Sequence, residues 1–133
     1  MKSSMILEIE EGLNIDDIEL CLSNLNARIQ EKKIDELKVY LPNSKTTMTA
    51  TTNIEHREIL AENIDIANWN VGLRIYFDIN PSEESPCVDI KNIIIQISKM
   101  YKQSFVLSYQ YETIYAQKNK KKLVLNEYLN KMT

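Results

Sequence analysis

Hydrophobic and polar residues alternate along several segments of the chain, the pattern of strands with one buried face. Near the start, Met5, Leu7 and Ile9 alternate with acidic residues, and Gly12 ends the run. The same alternation recurs in ELKVYL, VGLRIYFDI, SFVLSYQYETIYAQ and KLVLNEYL, and the β-branched TTMTATT is also expected to be extended. These segments predict a sheet of five to six strands.

Two other segments space their apolar residues by three and four positions, which predicts amphipathic helices. The first starts at Asn14, a good N-cap, and would continue for about five turns through NIDDIELCLSNLNARIQEKK. The second is expected to start with Ser85 as N-cap and Pro86 in the first helical position. Residues 53–70 between them fit either a short helix or a loop.

The resulting order β-α-β-β-β-α-β-β predicts one α+β domain over residues 1–133. Two helices with apolar stripes have to cover the apolar face of a sheet. We therefore expect a mixed or antiparallel sheet of five to six strands with two main helices packed on one face. The arrangement would be a split βαβ, ferredoxin-like core with a C-terminal hairpin.

Composition favours a soluble cytoplasmic protein. Hydrophobic residues make up 44% and charged residues 26% of the chain, and no apolar run approaches the roughly 18 residues of a membrane span. The start of the chain lacks the features of a signal peptide. Cys21 and Cys87 are expected to be buried, reduced thiols. With only two glycines, the chain has no glycine-rich phosphate loop.

The charge is unevenly distributed along the chain. Residues 1–90 hold 17 acids and 8 bases, whereas residues 91–133 hold 2 acids and 8 bases. The imbalance fits either solubility with internal pairing or an acidic face that meets a basic partner. A pI near 5.2 and three arginines argue against a nucleic-acid partner.

No catalytic or metal-binding motif is visible. His56 is the only histidine, and a Cys–His pair would have to be formed through the fold. Two cysteines and one histidine without close spacing predict no metal site, and we expect no cofactor. Glu112 lies within a predicted strand, so it needs a structural partner such as Arg74 or has a functional role.

Aromatic residues near the end of the chain have two interpretations. Tyr109, Tyr111 and Tyr115 would share one strand face, either as the margin of the core or as a docking surface. Trp69 fits equally well as a core residue or as an interface anchor.

As a set, these features resemble the immunity proteins of bacterial contact-dependent growth inhibition and other polymorphic-toxin systems. The resemblance rests on a short chain, an acidic balance, a compact α+β pattern, the missing catalytic motif and the tyrosine-rich segment SYQYETIYAQ. It implies a non-enzymatic protein that binds one cognate toxin domain, a basic nuclease being typical. Such a protein blocks its toxin by covering the active site or an adjacent surface.

For that function we predict an acidic contact surface with one aromatic anchor, because charge speeds association and the aromatic ring supplies buried contact. The predicted contact residues are Glu55, Glu58, Glu62, Asp65 and Trp69.

Two other functions stay open. One is a small ligand-binding or enzymatic domain with a cleft near Glu112, Tyr109 and His56. The other is a domain that associates with a second copy through an exposed edge strand, TTMTATT. The expected state of the chain is a monomer or a weak homodimer, without a membrane partner.

Overall fold

The structure, a computed structural model, describes residues 3–64 and 67–132. These residues form one sheet whose neighbouring strands all run antiparallel, in the order β2-β3-β4-β5-β1-β6-β7-β8. The strands are β1 (Ser3–Glu10), β2 (Arg28–Lys32), β3 (Glu36–Leu41), β4 (Thr46–Thr51), β5 (Val71–Ile79), β6 (Phe105–Tyr109), β7 (Thr113–Asn119) and β8 (Lys122–Leu125). The helices are α1 (Ile15–Leu20), α2 (Val88–Met100) and α3 (Glu127–Lys131). None of these helices is long and apolar enough to cross a membrane.

The predicted split βαβ, ferredoxin-like core with two main helices is wrong. The described residues form a mostly-β fold, an antiparallel eight-stranded sheet with one main helix, α2, and two short helices. The first predicted helix starts as expected, because Asn14 and Asp17 form a reciprocal capping box, but it ends at Leu20. Asn24 and Asn26 then take φ values of 73° and 54°, which turn the chain out of the helix and into β2.

Three further features of the secondary structure and the sheet differ from the prediction. The segment SFVLSYQYETIYAQ is two strands, because Gln110 and Tyr111 adopt positive φ values of 51° and 64° and reverse the chain. Helix α2 starts at Val88, with Cys87 rather than Ser85 in the N-cap position. TTMTATT lies between β3 and β5, so the prediction of an exposed edge strand there is wrong.

One side of the sheet, the helix face, carries the core. The predicted inward residues of β1, namely Met5, Leu7 and Ile9, are fully buried there. The same holds for alternate residues of β3 and β5 and for the apolar stripe of α2. At roughly 1.5–3 kcal/mol for each large apolar side chain, this burial drives folding. Buried Asp89 joins α2 to the β3–β4 turn by accepting hydrogen bonds from the Ser44 amide and hydroxyl at 3.1 and 2.6 Å.

The opposite side of the sheet, the loop face, carries the alternate residues of the same strands, including Glu8 and Arg74. The segment between β4 and β5 crosses this face, and none of its described residues is in a helix or strand. Residues 53–64 and 67–70 therefore form a loop, one of the two structures that the sequence left open. Its exposed side chains are the candidate functional site.

Candidate functional site

The acidic loop, residues 53–64, is fixed to the loop face by a buried ion pair. The side chains of Glu8 and Arg74 are only 0% and 4% exposed, and Arg74 Nη2 lies 3.0 Å from Glu8 Oε2. The two residues face each other because Glu8 and Arg74 are direct partners in the β1–β5 register. A charge pair removed from water in this way is stable only when its remaining polar atoms are also satisfied.

The loop backbone satisfies those atoms. Glu8 accepts hydrogen bonds from the amides of Leu60 and Ala61 at 2.8 and 3.0 Å. Arg74 donates from Nη1 to the His56 carbonyl at 2.6 Å and from Nη2 to the Glu58 carbonyl at 2.7 Å. The ion pair thus takes the place of the secondary-structure bonds that an irregular segment lacks.

Two backbone bonds fix the course of the loop. Near one end of the sheet, the Arg57 carbonyl accepts from the amide of Val71, the first residue of β5. Near the other end, the Glu62 amide donates to the Tyr111 carbonyl in the β6–β7 turn at 2.7 Å. Between these two bonds the loop passes Glu8 of β1, and the five residue steps from Arg57 to Glu62 span at most roughly 18 Å.

Three of the five predicted contact residues lie together on this loop. Glu55, Glu58 and Glu62 are all exposed, and neither Glu55 nor Glu62 has a salt-bridge partner among the described residues. Glu58 lies 3.7 Å from Nδ1 of His56, which is exposed as well. The structure therefore presents three exposed carboxylates on a loop whose backbone is fixed. Asp65 lies outside the described residues.

Trp69 lies elsewhere, at the end of the sheet where β1 finishes. It lines a cleft of about 650 Å³ together with four lysines and the C-terminal end of α2. Its surroundings are basic, unlike those of the three glutamates. The described contacts therefore give no support to Trp69 as the anchor of an acidic surface.

The residues of the alternative site, near Glu112, Tyr109 and His56, do not lie in either of two clefts formed by the described residues. Glu112 is exposed in the β6–β7 turn, and the partner of Arg74 is Glu8. Neither Glu112 nor His56 lines the 650 Å³ cleft or the second cleft of about 490 Å³. Neither of these two clefts therefore supports this alternative.

Tyr109, Tyr111 and Tyr115 do not share one strand face, because the β6–β7 turn interrupts the predicted strand. Tyr109 and Tyr115 pack on the core, with ring centroids 6.3 Å apart. Tyr111 lies in the turn, where burial, followed by the neighbouring Tyr76, raises the pKa of its phenol. The interpretation as core margin therefore holds for Tyr109 and Tyr115, whereas Tyr111 borders the acidic loop through its carbonyl.

The structure does not bring a cysteine nucleophile close to the histidine that could act as its base. Cys21 and Cys87 are free, buried thiols of the core on the helix face, whereas His56 is exposed on the loop face. The prediction of buried thiols is confirmed. Within residues 3–64 and 67–132, no group of three or more histidine, cysteine, aspartate or glutamate side chains has a geometry that could hold a metal ion.

Both thiols should be unreactive in the folded protein. Burial raises the pKa of Cys21 and of Cys87 to about 11, and Asp17 adds to the shift at Cys21. Against an ordinary value near 9, this lowers the thiolate fraction at pH 8 about 100-fold, and only the thiolate reacts. We expect negligible reaction with Ellman's reagent in buffer and two equivalents in urea. Rapid reaction of either thiol in buffer would contradict the burial.

Glu8 and Arg74, which position the site, were not identified from the sequence as a pair. Glu8 occupies a position of β1 that alternation assigns to solvent, and Arg74 interrupts an apolar strand. The only available signal was that two clearly predicted strands each carry a charged residue, one negative and one positive. That signal becomes specific only when β1 and β5 are known to be neighbours.

No protein-family model, curated protein or solved structure matches this chain.

Proposed function

We propose that this protein binds a basic protein through the acidic loop and neutralises it without chemistry of its own, as an immunity protein does for its cognate toxin domain. The observation that supports the proposal is the anchoring of an irregular, exposed, glutamate-bearing loop by a buried ion pair. Binding residues are often located on loops that a rigid scaffold positions.

A fixed loop favours tight binding. Ordering each loop residue costs roughly 1–2 kcal/mol of backbone entropy, and here folding has already ordered the loop. A partner that docks on it loses less entropy than one that has to order it on contact. The bonds from Glu8 and Arg74 to the loop backbone therefore contribute to affinity without touching the partner.

The exposed carboxylates suit a basic partner. Charges of one sign along a surface raise the association rate of a partner with the opposite sign and repel other acidic proteins. Nuclease domains of toxins are typical of such partners, because they bind phosphate backbones with lysine and arginine. The proposal places the protein in the cytoplasm, where such a nuclease acts.

The first test is co-expression with any candidate toxin domain that the neighbouring upstream gene encodes. We expect restored growth and a one-to-one complex on a sizing column. Persistent toxicity together with the absence of a complex would eliminate the proposal.

Charge reversal tests the surface. The triple variant Glu55→Lys, Glu58→Lys, Glu62→Lys should slow association with the toxin domain roughly 10- to 100-fold at low salt, because steering is lost. Stopped-flow or surface plasmon resonance measures the rate.

The matched control changes net charge by the same amount elsewhere: Glu31→Lys, Glu84→Lys, Glu127→Lys, three exposed residues outside the acidic loop. We expect its rate to stay much closer to that of the wild type. Equal slowing in both triple variants would show that net charge, and not the acidic loop, controls binding.

A further inference from the structure

The lysine-rich cleft, which Trp69 lines, has a charge opposite to that of the acidic loop. It lies where the C-terminal end of α2 meets the end of β1 and the β7–β8 turn, and its volume is about 650 Å³. The residues that define it are Trp69, Glu10, Lys102, Lys118, Lys120 and Lys121. Its size is within the range of about 300–1,000 Å³ that is usual for small-molecule sites.

The described residues leave an excess of positive charge in the cleft. Four lysines and one glutamate line it, a net charge of +3. Glu10 directs Oε1 to the Ser104 amide at 2.9 Å. None of the four lysines forms a salt bridge within the described residues. An anionic ligand would therefore find unpaired ammonium groups here.

Lys118 is the most informative of the four, because its side chain is buried while its charge has no carboxylate partner in residues 3–64 and 67–132. Lys118 is only 3% exposed. Its Nζ donates to the carbonyls of Tyr101 and Ser98, at 2.6 and 3.3 Å, at the end of α2. An ammonium group has three N–H donors, so one is left over. Burial lowers the pKa of Lys118, an effect that a nearby anion would oppose.

Trp69 supplies a second unused donor. Its indole Nε1 is buried and has no hydrogen-bond partner among the described residues. A buried donor without an acceptor costs roughly 1–3 kcal/mol, so native proteins usually pair it with a protein group, a water or a ligand. The same side chain lines the cleft, beside the lysines.

We propose that the lysine-rich cleft binds a phosphate monoester of mononucleotide size. Such a group carries a charge of about −1.5 to −2 and three acceptor oxygens, which matches several convergent N–H donors better than a single carboxylate does. The lysines hold the phosphate, and the indole ring of Trp69 lines the cleft beside them. The volume of the cleft leaves room for the organic part of the molecule.

The chain provides its own probe, because Trp69 is its only tryptophan. Titration with AMP should change the tryptophan fluorescence in a saturable way, and isothermal calorimetry should give the same dissociation constant. Adenosine, which lacks the phosphate, should give no saturable change. Raising the salt from 50 to 500 mM should weaken AMP binding, because exposed lysines are screened.

Two variants locate the site. Lys120→Gln with Lys121→Gln should weaken AMP binding about tenfold or more, the effect of losing two charged contacts. Trp69→Phe replaces the indole that lines the cleft by a smaller ring and should weaken binding in calorimetry. The matched control, Lys38→Gln with Lys45→Gln, changes two exposed lysines outside the cleft and should leave binding unchanged.

Three results would overturn this inference. They are no saturable response to AMP, binding of adenosine as tight as that of AMP, and equal weakening in the two lysine double variants. Each is independent of the proposed toxin binding, because these titrations use the purified protein alone.

Discussion

Replacing Arg74 by alanine should lower the free energy of unfolding by about 3–5 kcal/mol, the cost of leaving a buried charge without its partner. Glu8 would remain fully buried with only two amide donors from the loop. The acidic loop would also lose both bonds to its carbonyls, so the Arg74→Ala variant should be cleaved by proteases within residues 53–64. Urea unfolding and limited proteolysis measure the two effects.

Arg57 offers a matched control. It is exposed and lies 3.5 Å from Glu11, so Arg57→Ala should cost less than about 1 kcal/mol. The double variant Glu8→Leu, Arg74→Met should regain part of the stability lost in Arg74→Ala, because it leaves no buried charge. It should still release the loop, since the backbone groups lose their partners. A loop that stays resistant to protease in the double variant would show that other contacts hold it.

Phe77→Ala should destabilise the protein by about 3–5 kcal/mol, because it opens a cavity in the middle of the core. Phe77 is fully buried and lies between Met5 of β1 and Met48 of β4 in the register of the sheet. These neighbours belong to paired strands on both sides, so the site has little freedom to collapse. Thermal and urea unfolding give the loss.

Tyr76, the preceding residue of β5, is the control for this prediction. It points to the loop face and is 38% exposed, so Tyr76→Ala should cost less than half as much as Phe77→Ala. Similar losses at the two positions would contradict the assignment of faces.

Alternation of apolar residues predicted the central strands well. Every odd position from Val71 to Ile79 in β5 is buried, as are Leu37, Val39 and Leu41 in β3. This success has a physical reason. A strand with one face in the core has to place apolar residues at every second position, whatever its neighbours are.

The pattern failed where a strand has no buried face. All five side chains of β2 are exposed, so its residues lack the alternation that marks a strand, and Ile29 instead completed an apparent helical stripe. The pattern also failed where a turn interrupts a predicted helix or strand. The residues at these turns have positive φ values: Asn24, Asn26, Gln110 and Tyr111. Asparagine signals such a turn weakly, and glutamine and tyrosine do not signal it at all.

The site was predictable only in part. The exposure of Glu55, Glu58 and Glu62 follows from their local sequence, which has no strong apolar period. Their fixed arrangement depends on Glu8, some fifty residues away. The location of Trp69, away from these glutamates, depends on which strands end at the same side of the sheet. Contacts over such distances leave no trace in local spacing.

The central position of β1 affects how the chain folds during synthesis. This strand leaves the ribosome before its two neighbours, which pair it with residues up to Ile79 and Tyr109. At about 5–20 residues per second, the second neighbour follows roughly 5–20 s later. Until the first neighbour, β5, has emerged, the apolar side chains of β1 have no sheet to join. Contacts between such distant residues also favour folding in milliseconds to seconds rather than microseconds.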